Sequence, residues 1–182
     1  MQMQMFRSAA LRPAAVLRPA AVVAATVVLA SSFAGSVSAA TYRSANGYTI
    51  SPPAGWTTSK GMMGSEVVFM NPTRENINVV VQAVPRGTTI EKARTDTITL
   101  LRRMMTGYKV LGQGTTTLGG ARALTLSSAY QLGSPPQKLR ALQAFALRGG
   151  KLYVFTCTAH QATYARFAGT FQNVLRSVRW TK

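Results

Sequence analysis

Acidic residues are nearly missing from this chain. Four Asp and Glu stand against 21 Lys and Arg in 182 residues, with one histidine and one cysteine, for a formal charge of +17. General acid–base catalysis needs side chains whose protons move near neutral pH, and bound cations need clustered carboxylates, imidazoles or thiolates. So small a supply excludes most hydrolytic and metal chemistry. Glu66, Glu75, Glu91 and Asp96 are scattered, forming neither a carboxylate pair nor a metal-ligand spacing. The lone Cys157 rules out an intrachain disulfide and reads as a small buried apolar residue. His160 follows it by three residues, but a strand end would face the two apart, so a surface histidine at the start of a helix is preferred over a Cys–His pair. Gly112, Gly114, Gly119 and Gly120 lack both the G-x-G-x-x-G spacing and a Gly-Lys-Ser/Thr ending, and read as a turn between strands. No catalytic residue, cofactor or metal is expected.

The first 39 residues read as a leader. Arg7, Arg12 and Arg18 precede an apolar run from Ala20 to Ala30, and Val37 and Ala39 supply the small side chains of a cleavage site. Cleavage after Ala39 leaves a single domain over residues 40–182, exported to the periplasm or beyond. The alternative is a retained anchor from Pro19 to Val37, weakened as a span by its Ala, Ser and Gly content. Removing the leader's three arginines leaves 18 of the 21 basic residues and all four acids. A chain of this length buries about two-thirds of its unfolded surface, enough for one core.

Beyond the leader, strands alternate with helices. Tyr48–Ile50 is a strand stopped by Pro52 and Pro53, with Gly55 turning Trp56 back under the sheet. Val67–Met70 is a short strand, and Asn76–Val84 is apolar on both faces, the mark of a central strand covered on both sides. Thr88 to Met105 reads as a helix, with a Thr88/Glu91 capping box, a packed face of Ile90, Ala93, Thr97, Leu100, Leu101 and Met104, and Gly107 as terminator. Strands are expected over Tyr108–Thr117, Ala121–Tyr130, Gln137–Leu147 and Lys151–Thr158, the last two joined through Gly149-Gly150. A second helix spans Gln161–Arg176, and Trp180 should dock back on the fold. Thr57–Ser65, Gly112–Gly120 and Tyr130–Pro136 are expected as exposed loops. The fold class is α+β: an antiparallel β-sheet of about six to seven strands flanked by two main helices.

The order of several motifs carries a resemblance. A Tyr-containing strand leads to Pro53-x-Gly55-Trp56; the Val67–Phe69 and Asn76–Val84 strands come next; then a long helix, Gly119–Ala123, Gly150-x-x-Tyr153-x-x-Thr156 and a closing helix ending near Ser177. Over residues 42–180 this order resembles the PsbP/DcrB-like superfamily, which includes the extrinsic photosystem II subunit and Ran-binding relatives. The resemblance implies a PsbP-like sandwich and binding or assembly roles without shared catalytic residues.

The basic excess must lie mostly on the surface, because lone buried charges are too costly. Arg102, Arg103, Lys109, Lys138, Arg140, Arg166, Arg176 and Arg179 are the candidate contacts for an anionic partner. Such a field attracts an anionic envelope component, an acidic protein partner or the headgroups of a membrane surface. Nucleic acid is less favoured, since Phe155, Phe167 and Phe171 are explained by the core. Two further readings compete: charge that is diffuse and without a site, and a pocket protein holding an apolar ligand near Met104, Phe145 or Tyr153.

Overall fold

The computed structural model describes residues 40–61 and 64–181. The leader expected over residues 1–39, its cleavage position and the final Lys182 lie outside them. Ten strands and two helices succeed one another as β1 (Tyr42–Ser44), β2 (Tyr48–Ile50), β3 (Thr57–Lys60), β4 (Val67–Met70), β5 (Asn76–Ala83), α1 (Ile90–Met104), β6 (Thr106–Leu118), β7 (Ala121–Leu132), β8 (Gln137–Arg148), β9 (Lys151–His160), α2 (Tyr164–Ser177) and β10 (Arg179–Trp180).

Seven strands form one antiparallel sheet in the order β3-β4-β5-β9-β8-β7-β6, and β1-β2-β10 form a second, three-stranded one. The two-sided apolar pattern of β5 has the expected result. Ile77 and Val79 enter one core, with Phe155, Cys157 and the α2 residues Phe171, Val174 and Leu175. Val80, from the other face, enters a second core with Ile90, Ala93 and Ile98 of α1 and with Phe145 and Val154. The large sheet is therefore a middle layer. On one side lie α2 and the small sheet; on the other lies α1.

Trp56 is buried, as the Gly55 turn predicts, and packs edge-on to Phe171 with ring centres 6.5 Å apart. The tail docks too. Trp180 joins β10 to β2, and its ring meets Tyr153 at 4.9 Å.

Several local expectations need correction. The cap of α1 is Thr89, whose hydroxyl accepts from the Lys92 N–H, while the Thr88 hydroxyl donates to the Pro85 carbonyl oxygen. Glu91 does not complete a capping box; it pairs with Arg122 at 2.8 Å. On the packed face, Met105 and Ile98 are buried, Leu100 is half-buried and Met104 is 56% exposed. Met105 lies four residues beyond Leu101 and so stacks directly over it towards the sheet. The helix stops before Gly107, which instead takes φ +64° inside a register shift between Thr106 and Lys109. A left-handed glycine is what such a bulge needs. Residues 57–60, expected as loop, form the edge strand β3 with every side chain exposed, and residues 112–118 continue β6. His160 ends β9, and α2 begins only at Tyr164.

Candidate functional site

Cross-strand register decides which cations meet. In β8, Lys138 opposes Gln131 of β7, which opposes Thr106 of β6; Arg140 opposes Ala129, which opposes Lys109. Directly opposed residues share a sheet face, so Lys109, Ala129 and Arg140 form one row, with Lys138 two residues along on the same face. Gln161, on the approach to α2, donates its N–H to the Lys138 carbonyl oxygen at 2.9 Å, which brings Arg166 to this end as well. Arg102 and Arg103 close α1 immediately before Thr106. Six of the eight candidate cations thus gather where the chain turns through Gly133, termed here the Gly133 end. Arg176 and Arg179 lie at the opposite end, beside the Gly119-Gly120 turn.

These side chains are not equivalent. Arg102, Arg103, Lys109, Lys138 and Arg166 are exposed. Arg140 is half-buried, its guanidinium carbon 4.3 Å from the centre of the Tyr164 ring, and its Nε is buried without a hydrogen-bond partner. It is held by packing as much as by water.

The acids are placed elsewhere or locked away. Glu75 is the one carboxylate near the Gly133 end, and it is 1% exposed. Thr73 and Thr163 donate hydroxyls to it, the latter at 2.8 Å, and its N–H donates to Asn71 Oδ1. Burial alone would favour the neutral acid, but the hydrogen bonds from Thr73, Thr163 and the backbone outweigh it and hold the carboxyl below its ordinary value. Glu66 lies against the small sheet, where the Tyr42 hydroxyl, the Ser44 hydroxyl and Asn46 Nδ2 all donate to it. Burial, and then the charge of Glu66, push the Tyr42 hydroxyl up to about 12. Asp96, mid-helix, pairs with Lys92 at 2.9 Å, and Glu91 is at the other end of α1.

The fold holds Cys157 and His160 apart. Cys157 is fully buried in the α2-side core, and burial pushes its thiol well above the usual range. His160 is an odd number of residues along the same strand and faces the opposite side of the sheet. Among the described residues, no group of three or more His, Cys, Asp and Glu could hold a metal ion. The competing pocket reading named Met104, Phe145 or Tyr153 as lining residues. Phe145 belongs to the α1-side core and Tyr153 to the α2-side core, while Met104 faces water, so the three cannot line one cavity. No aromatic side chain among the described residues is exposed.

The row through Lys109, Ala129 and Arg140 was invisible in the sequence, because those residues are far apart in the chain. Arg43 belongs with these cations as well. It flanks Thr49 on one side as Arg179 does on the other, a pairing foreshadowed only by the Tyr42-Arg43-Ser44 alternation.

This arrangement, a seven-stranded antiparallel sheet between two helices with a small accessory sheet, is that of the PsbP/DcrB-like superfamily. Within it, the chain belongs to the DcrB family, whose sequence profile matches residues 50–177. No curated protein matches the chain in sequence. Solved structures with the same fold include cyanobacterial PsbP (CyanoP) from Synechocystis sp. PCC 6803, at 20% identity and TM-score 0.62, covering 84% of this chain and 98% of that one. LpqN of Mycobacterium tuberculosis, described as involved in cell envelope biogenesis, has 14% identity and TM-score 0.58 over 74% of this chain and 83% of its own. The Ran-binding protein Mog1p of Saccharomyces cerevisiae has 13% identity and TM-score 0.55 over 81% and 97%. At these identities the likeness concerns the fold. Among the described residues, no helix is long and apolar enough to cross a membrane.

Proposed function

We propose that this protein is an exported, non-catalytic docking module that binds an anionic component of the cell envelope through its Gly133 end. One observation carries the reading: Lys109, Lys138 and Arg166 on the α2 side and Arg102 and Arg103 on the α1 side are all exposed at this end, while the nearby Glu75 is buried and hydrogen-bonded. Cations left without local carboxylates keep their field for a partner, and that field is screened by salt. The leader-like first 39 residues and the membership of the DcrB family support an envelope location. No aromatic side chain among the described residues is fully exposed for bases to stack on, which disfavours nucleic acid.

The test is retention of the protein on anionic vesicles, an acidic envelope polymer and DNA across a salt series. Retention on an envelope surface that fades with salt, and weakens when Lys109, Lys138, Arg102 and Arg103 are changed to Gln, is the expected result. Salt-independent failure to bind any of them would remove the proposal, and stronger retention on DNA than on either envelope surface would replace it.

A further inference from the structure

At the opposite end of the molecule, Arg176 and Arg179 line a recess of about 410 Å³ with Thr117, Gly119 and Gly120. We infer that this recess is a second, separate site, which binds the phosphoryl group of a small phosphoester. It does not depend on docking at the Gly133 end.

Two features make the arginines more than loose surface charges. Arg179 is anchored: its Nη1 donates to the carbonyl oxygens of Arg176 at 2.6 Å and Val178 at 2.8 Å. Those carbonyls close α2, so the same contacts cover the negative end of the helix dipole, which would otherwise repel an anion. Arg176 is steadied by Asn173 Oδ1 at 3.1 Å and Gln172 Oε1 at 3.4 Å. All four acceptors are neutral. The four carboxylates are engaged elsewhere: Asp96 with Lys92, Glu91 with Arg122, Glu66 with the small sheet and Glu75 with Thr73 and Thr163. Each guanidinium therefore keeps its full charge and unused N–H groups on a held frame.

The wall of the recess is a turn that excludes side chains. Gly119 has φ +55°, and a Cβ there would lie 2.9 Å from Trp180 Cδ1; Gly120 has φ +83°. The turn leaves mainly backbone as the surface opposite the arginines, because Thr117 is paired with Arg122 and turns its side chain to the α1 side of the sheet. Arg43 lies across Thr49 from Arg179 on the outward face of the small sheet, outside the recess lining, and adds to the positive field around it. Guanidinium forks match the oxygens of phosphate, and a doubly charged tetrahedral group offers oxygens to both arginines at once with more charge than a carboxylate.

The site is tested by titrating inorganic phosphate, and separately glycerol 3-phosphate, into the full chain while monitoring amide and indole resonances. Saturable shifts at Gly119, Gly120 and the Trp180 indole N–H are expected from both, with glycerol 3-phosphate the tighter. Arg176→Gln should weaken binding at least fivefold with the Trp180 indole resonance still in its folded position, and Arg179→Lys should weaken it too by losing the fork. Lys109→Gln with Lys138→Gln should leave it unchanged, even where vesicle retention is lost. Absence of saturable shifts with either probe would overturn the inference. So would affinities indifferent to both arginine substitutions.

Discussion

The indole N–H of Trp180 donates to the carbonyl oxygen of Leu118 at 2.7 Å, so the last strand is pinned to the end of β6 across 62 residues of chain. The contact requires glycine next door, since any Cβ on Gly119 would press on the same ring. Trp180→Phe should cost about 0.5–1.5 kcal/mol by orphaning that carbonyl while keeping most of the packing. Gly119→Ala should cost more than Gly120→Ala, because both have positive φ but only the first meets the ring. Urea denaturation of the three variants measures the order; a Gly120→Ala loss equal to that of Gly119→Ala would show that the ring does not constrain the turn.

Glu75 makes stability depend on pH at the acid end. Its carboxyl is held below the ordinary value in the folded chain by Thr73, Thr163 and backbone donors. A depressed folded pKa means stability that is present above the unfolded carboxylate value and lost as pH falls through the folded one. Thermal melts should therefore drop below about pH 4.5, the unperturbed value for this group. Glu75→Gln should lower stability by about 1–3 kcal/mol near neutrality and flatten the acid limb. An unchanged acid limb in that variant would assign the dependence to other groups.

Arg140 and Lys138 share a face but should separate in their effects. Arg140 stacks on Tyr164, so Arg140→Gln should cost about 0.5–1 kcal/mol of stability besides any loss of docking. Lys138 is exposed, and Lys138→Gln should leave the melting temperature unchanged while weakening vesicle retention by about 1 kcal/mol. Equal stability losses for the two would mean that the stack contributes nothing.

Much of the fold could be read directly from local pattern. The two-faced apolar run of β5, the amphipathic stretch of α1, the Gly149-Gly150 hairpin and the returning Trp180 all work within a few residues, where backbone geometry dictates which side chains share a face. Errors came where neighbours in space outvote the local pattern. Thr57–Lys60 is polar throughout and became a strand only because β4 offers it an edge. Thr88 and Thr89 are both competent caps, and the Thr88 hydroxyl was taken by Pro85. Gly107 looked like a helix terminator and serves a bulge instead. Phe145 and Tyr153, each a candidate pocket residue, lie on opposite faces of the sheet.

Composition and periodicity alone established a scarcity of proton-transferring groups, a large positive excess and a sheet with two apolar faces, since these depend on which side chains exist and how they alternate. Which of the cations stand together was decided by the fold. Strand order and register join residues that no local rule relates, and the bulge in β6 between Val110 and Gly112 sets the phase that brings Lys109 opposite Ala129, beside Arg140. Charge can be counted along a chain, but a field depends on distance, and distance here is a property of the assembled sheet.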